Sequence, residues 1–399
     1  MMLRYLPFLC LFITISANAA CCKKTNNCTT NNCKTNICKT NNCKTTCKTN
    51  DCNKVIATIG VGDTPAGIAI TPDDQFAYVA NNNNDGIAGA DSVSVINIQN
   101  NMLVQTIHDA SFNEPYTVTI NAAGTRAYVT NSNSTTVTVI DIPSNKVIAI
   151  IGGFDGPSGF AITPDGTKAY VNNYGAPGGL LSGNGKTVRV VDLNTNTIIG
   201  APITVDQAPA SLAITPNGEF VYVINYVTGN PGTGTISIIQ TSNNTVVGRI
   251  TGFSGPFSIV INADGTTAYV TNFGSNNFSP VGTTVSVVDL TTNTISNTIK
   301  LGTQPSGIAL TPNGRFAYVT NYNTLYLEPG YYDLTPGIGI VNIIDTCSNT
   351  VLCQTFVVGS SPANIAISSD GKRAYVTNYS SNNVSVLNIL DKMWLNVCR

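Results

Sequence analysis

From residue 53 onward, short apolar strings alternate with clusters of turn-forming residues. Within the strings the apolar positions recur every second residue, as in Val93-Ser94-Val95-Ile96, Val285-Ser286-Val287-Val288 and Val384-Ser385-Val386-Leu387. A period of two, rich in β-branched residues, predicts strands rather than helices. Strings such as Ile68-Ala69-Ile70 and Ala161-Ile162 run into Thr71-Pro72-Asp73, Thr163-Pro164-Asp165-Gly166 or, after Ala309-Leu310, Thr311-Pro312-Asn313-Gly314. These are type I turns, in which proline fixes φ at the second position, Asp or Asn tolerates the third and glycine takes the fourth. A core of Ala-Tyr-Val-Thr-Asn then follows with small variations. Its tyrosines are Tyr78, Tyr128, Tyr170, Tyr222, Tyr269, Tyr318 and Tyr375, about 50 residues apart. Most units close with a strand of the type Asn145-Lys146-Val147-Ile148-Ala149-Ile150.

Seven copies of a four-strand unit decide the architecture. Each unit forms a small antiparallel sheet that is apolar on both faces and needs a neighbour on each side. A closed ring supplies two neighbours to every copy and leaves no end face exposed. The predicted fold is therefore an all-β, seven-bladed β-propeller of four-stranded antiparallel blades, whereas a flat sandwich would need no fixed period. The segment Asn53-Lys54-Val55-Ile56-Ala57-Thr58-Ile59 matches the fourth strand of a unit yet precedes the first unit. It is expected to dock beside residues 384–389 and close the ring, in competition with the tail at 392–398, which carries Trp394.

The Tyr-Val-Thr-Asn core with its Thr-Pro-Asp-Gly turn resembles the YVTN family of β-propeller repeat proteins, over residues 53 to about 391. The resemblance is specific for fold and weak for activity. The relatives it implies include exported and surface proteins of bacteria, lactonase-like enzymes and haem-d1 propellers.

Residues 1–20 read as a secretory signal: Arg4, an apolar stretch from Leu6 to Ile15, and the small-x-small site Ala17-Asn18-Ala19. The Ala-Ala-Cys junction at Cys21 resembles a lipoprotein site, although Asn18 stands where such sites usually carry leucine. Residues 21–52 form a low-complexity leader built on Cys-Lys-Thr-Asn-Asn, with Cys21, Cys22, Cys28, Cys33, Cys38, Cys43, Cys47 and Cys52. It has too few apolar residues to fold by collapse. After export its cysteines are expected to form disulfides, within the chain or between chains, and soft-metal binding is the alternative. With Cys347, Cys353 and Cys398 the mature count is odd, which leaves one thiol free, lipidated or joined to another chain. The domain reading is then signal 1–20, leader 21–52, propeller 53–391 and tail 392–399.

Composition narrows the functional classes. Charged residues make up 10% of the chain, against roughly 25% for ordinary soluble domains. The leader carries a net +5 and the body from residue 53 a net −7. A body of that sign repels phosphate, which argues against nucleic-acid binding. The chain has one histidine, His108, so multi-histidine metal sites and bis-histidine haem are excluded. No cofactor is expected.

The turns of the Thr-Pro-Asp-Gly kind fall on one face of the ring. The other face receives the loops of variable length at 81–91, 173–186, 225–234, 272–283 and 321–337, the usual place for binding on a rigid scaffold. On that face each inner strand is entered through a proline: Pro65, Pro115, Pro157, Pro209, Pro256, Pro305 or Pro362. Its plainest role is mechanical, because proline needs no donor at a strand's first residue. Beside these prolines, Glu114, Tyr116, Phe257 and Gln304 are expected to ring the channel mouth. In five units an aromatic follows the core Asn: Tyr174, Tyr226, Phe273, Tyr322 and Tyr379. With Tyr326, Tyr331 and Tyr332 these rings either form a stacking surface for a glycan or protein ligand, or cap the blades against one another. His108, at the end of an outer strand, is a poor acid–base group, and Glu114 is nearly alone near the axis. The reading is an exported or cell-surface, non-catalytic binding scaffold, with surface or lipid attachment through the leader. A lactonase-like hydrolase or lyase at the channel mouth is the alternative.

Overall fold

Each recurring motif residue has one packing task, and together these tasks build a ring. The computed structural model describes residues 54–83, 91–175, 184–226, 232–274, 281–322, 326–328, 331–332 and 338–389. Residues 1–53 and 390–399, on which the signal, leader and tail readings fall, lie outside the described residues, as do most of the variable loops. Among the described residues the chain forms seven four-stranded antiparallel sheets and one short hairpin in the loop of the sixth unit. The first blade is Pro65–Ile70, Phe76–Asn81, Ser92–Asn97 and Met102–Ile107, from the axis outward. The later inner strands are Pro115–Ile120, Pro157–Ile162, Pro209–Ile214, Pro256–Ile261, Pro305–Leu310 and Pro362–Ile367. All seven begin at the predicted proline. Neighbouring inner strands pack side by side around the axis, the first against the seventh included.

The seventh blade is completed from the other end of the chain. Lys54–Gly60 pairs antiparallel with Asn383–Asn388, in a register that sets Lys54 opposite Asn388 and Ile59 opposite Val384. The expected closure by the N-terminal strand is thus found, and Ile59 is buried at the seam.

Seven apolar clusters lie between adjacent blades, one per interface. The alternation in Ala-Tyr-Val explains them. Tyr78 of the first blade shares a cluster with Ala127 and Val129 of the second, and Tyr375 of the seventh shares one with Ala77 and Val79 of the first. Tyrosine thus faces the following blade and its two small neighbours face the preceding one. The phenol reaches across to an Asn in that blade's outer turn: Tyr170 to Asn244 at 2.6 Å, Tyr222 to Asn293 at 2.8 Å, Tyr375 to Asn101 at 3.1 Å. Those asparagines hold positive φ, a conformation Asn tolerates better than most residues. The core Thr shares the tyrosine's face and donates to a carbonyl of the next inner strand, Thr130 to Ser158 at 3.0 Å and Thr377 to Ala66 at 2.8 Å. Each interface is therefore both greased and pinned by one pentapeptide.

Candidate functional site

The site grows out of the pairing of two motif residues. In every blade the entering proline lies opposite the core Asn, as Pro65 does Asn81 and Pro362 does Asn378. The core Asn is buried, and its amide donates to hydroxyls on the third strand, as Asn81 does to Ser92 and Ser94 and Asn272 to Thr284 and Ser286. The residue before each proline has φ between 47° and 57° in all seven blades. Its carbonyl thereby accepts the backbone N–H of the residue after the core Asn, at 2.8 to 3.2 Å in every unit. A left-handed turn and one hydrogen bond therefore fix seven equivalent positions around the channel mouth. Five carry the predicted aromatics, and Asn82 and Ser132 fill the other two.

Tyr174, Tyr226, Phe273, Tyr322 and Tyr379 all line one cavity of about 400 Å³ at the axis. Tyr116, Phe257 and Gln304 line it too. Eight of the nine expected positions thus converge. Glu114 does not belong with them, which corrects its expected place in the ring at the channel mouth. Its carboxylate hydrogen-bonds Asn133 and sits near Asp91, in the loops of the first two blades, so it is turned away from the wall. Burial, then the Asp91 charge, raise its pKa above the ordinary carboxylate value, and the Asn133 bond opposes them. His108 is exposed just past the outer strand Met102–Ile107, as expected. The side chains of Tyr326, Tyr331 and Tyr332 lie outside the description. Of the disulfide candidates only Cys347 and Cys353 fall among the described residues, in and after the turn into Thr350–Val358.

The rings cap the blades against one another and also line the cavity. Successive contacts link Tyr226 to Phe257 (6.4 Å between centroids), Phe257 to Phe273 (5.2 Å), Phe273 to Tyr322 (5.9 Å) and Tyr322 to Tyr379 (6.3 Å). This arc crosses from the fourth to the seventh blade and caps them. The Tyr226 hydroxyl donates to the Gly274 carbonyl at 2.6 Å, and Tyr322 meets Ser361 and Ser380 of the seventh blade. The same rings remain part of the cavity wall.

The rest of the wall is the first two residues after each proline, mostly Ala, Ser, Gly, Thr or Asn, with Phe160 and Leu212 from the third position. Sequence reasoning missed these small residues, although lining up the seven units on their prolines exposes them. At those first two positions only Tyr116 and Phe257 are large. Gly67 shows why small residues are needed, since a Cβ there would lie 2.4 Å from the Tyr116 carbonyl.

Among the described lining residues the only titratable side chains are tyrosines. Burial pushes Tyr174 and Tyr322 up to about 12, with the neighbouring Tyr379 adding to the rise at Tyr322. Burial and then the phenols of Tyr174, Tyr379, Tyr322 and Tyr226 push Tyr116 up further. Such phenols hold their protons at neutral pH and serve as hydrogen-bonding groups, not bases. Outside the cavity Tyr78 and Tyr170 are also raised to about 12 by burial, with the Asp141 charge adding to the rise at Tyr78. All these groups bind a proton more tightly folded than unfolded. Folding stability is therefore expected to be full below the unfolded value of about 10 and to fall steeply as the pH rises toward 12. Urea midpoints measured across that window, alongside phenolate absorbance, check it. A flat profile with ordinary tyrosine titration would contradict the burial argument.

Among the described residues no cluster of three or more His, Cys, Asp or Glu is placed to hold a metal ion. Among the described lining residues the cavity offers aromatic faces, amide and hydroxyl groups, and no charged side chain.

Comparison with known proteins agrees with the fold. Residues 34–147 and 244–393 match the family described as "Lactonase, 7-bladed beta-propeller". The seven-bladed beta-propeller protein Rv1057 of Mycobacterium tuberculosis is 32% identical over 148 residues, 36% of this chain and 34% of that protein. The uncharacterized protein YwhL of Bacillus subtilis is 26% identical over 219 residues, 55% of this chain and 43% of that one. The chain thus spans less than half the length of these curated relatives. A structure titled Kuenenia stuttgartiensis hydrazine synthase superposes with a TM-score of 0.66 at 21% identity, covering 82% of this chain and 95% of that one, a likeness of fold alone. By the family match, which takes in more than half of its residues, the chain belongs to the lactonase family of seven-bladed β-propellers.

Proposed function

We propose that this propeller is a non-catalytic binding scaffold whose loop-bearing face presents the aromatic cavity to a ligand. The observation that carries the reading is the cavity wall. It combines an arc of rings with neutral hydrogen-bonding groups and includes no carboxylate, amine, guanidinium, imidazole or thiol among the described lining residues. Opening a lactone needs a base to activate water and a donor set aimed at the developing oxyanion. The phenols are too firmly protonated to act as that base. A volume of about 400 Å³ lies within the range typical of small-ligand sites.

The seven Tyr-Val-x-Asn cores, four of them Tyr-Val-Thr-Asn, support a closer kinship to YVTN-type repeats within the family. Residues 1–20 support export, and the leader at 21–52 supports attachment to a surface or to a second chain through its cysteines. Cys347 and Cys353 are proposed as an intrachain pair.

The second reading is a lactonase-like hydrolase or lyase working at the channel mouth, and the family match favours it. One assay decides between them. Purified chain incubated with a series of aldonolactones and acyl lactones, followed by proton release, is expected to give the uncatalysed rate. Turnover that falls at least tenfold in Tyr116→Phe, with folding intact, would replace the binding reading with the enzymatic one.

A further inference from the structure

The chemistry of the cavity wall narrows its ligand class, and this step rests on the binding reading above. None of the four ring contacts in the arc is a parallel stack. Their interplanar angles are 80°, 31°, 62° and 53°, so the faces are not consumed by one another. Contrast Tyr128 and Phe160, stacked at 4.9 Å and 13° inside a blade interface. Open ring faces favour a flat, partly apolar partner such as the C–H face of a sugar ring.

The hydroxyls supply the second half of the match. Five tyrosines, Tyr116, Tyr174, Tyr226, Tyr322 and Tyr379, line the one cavity. The Tyr226 hydroxyl donates to the Gly274 carbonyl at 2.6 Å and so is committed to the blade cap. No hydrogen bond among the described residues engages the hydroxyls of Tyr116 or Tyr174, which are thus available to donate. Gln304 adds an amide to the wall. A wall that both donates and accepts suits a ligand whose own groups do both, which is the property of a polyhydroxylated ring.

Charge excludes the neighbouring classes. An anionic ligand would lie unpaired, since no cation lines the described wall, and burying an unpaired charge is costly. A quaternary ammonium would find aromatic faces but no carboxylate, and it would leave the converging hydroxyls unused.

We propose that the cavity binds a neutral pyranose sugar, its apolar face on the arc of Phe257, Phe273 and Tyr322 and its hydroxyls on Tyr116 and Tyr174. The test is calorimetric titration of the intact chain with neutral sugars (glucose, galactose, mannose, N-acetylglucosamine, and their β-linked disaccharides). Glucuronate, glucose 6-phosphate and tetramethylammonium serve as charged probes. At least one neutral sugar is expected to bind, at least tenfold more tightly than its charged counterpart. Phe273→Ala should abolish that binding, and Tyr116→Phe, which keeps the ring, should weaken it by about tenfold. Phe273→Tyr, which keeps the face, should retain it and so controls for folding damage. Preferred binding of tetramethylammonium or of a charged sugar, lost in Phe273→Ala, would overturn the sugar and leave the cavity a binding site. Binding of neutral sugar unaffected by either variant would overturn the assignment of the site. No heat with any probe would overturn the sugar proposal, and lactone turnover in the assay above would overturn the reading beneath it.

Discussion

Replacing Tyr375 with alanine is expected to lower the unfolding free energy by about 3–5 kcal/mol, the usual cost of deleting a large buried ring. Tyr375 is fully buried and belongs to the cluster that joins the last blade to the first. Its hydroxyl bonds Asn101 at 3.1 Å and the Ile98 carbonyl at 3.2 Å, both in the first blade. The alanine variant therefore removes packing and a pin at the seam where the two ends of the chain meet. Tyr375→Phe removes the pin alone and should cost about 1 kcal/mol. The Ile98 carbonyl keeps its bond from the Arg373 guanidinium at 2.6 Å, so it is not orphaned. Urea denaturation of the three proteins separates the two contributions. An alanine variant within 1 kcal/mol of the parent would mean that the seam does not carry the ring's stability.

Excising Lys54–Gly60 should be at least as severe. Without it the seventh blade has three strands, Asn383–Asn388 becomes an open edge, and the apolar side chains around Ile59 face water. Burial of one isoleucine is worth about 1.5–3 kcal/mol, and the loss of a whole strand's pairing comes on top. The exposed edge is also a template for pairing between molecules. The expected result is a drop of several kcal/mol, with concentration-dependent self-association in sedimentation velocity. A monomer that unfolds cooperatively with the parent's midpoint would show that another segment closes the ring.

These two experiments probe the seam because stability in a ring of like units is shared. Every blade is covered by its neighbours, and among the described residues only the seam joins segments more than 270 residues apart, as the Tyr375–Asn101 and Thr377–Ala66 bonds span 274 and 311 residues. Closing such a loop costs entropy that no local contact repays. A strand from the opposite end of the chain, laid into the last sheet, supplies the long-range contact instead.

Seven copies of Ala-Tyr-Val-Thr-Asn determined blade number, strand order and closure, because a period-two strand with two apolar faces admits few arrangements and a closed ring satisfies all copies. The prolines marked the first residue of each inner strand for a local reason, the missing donor. Position around the axis was legible in part: Tyr116, Phe257, Gln304 and the five aromatics, each one step from a proline or from the core Asn, line the cavity, whereas Glu114, Asn82 and Ser132 at equivalent steps are not among its described lining residues. Tertiary structure decided what side-chain direction and charge environment control. It turned Glu114 toward Asn133 and Asp91 while Gln304, in the same left-handed turn, stayed on the wall. It also buried Tyr116 beside phenols from other units, and burial first, then those phenols, keep it protonated, a consequence of through-space packing that spacing along the chain does not encode.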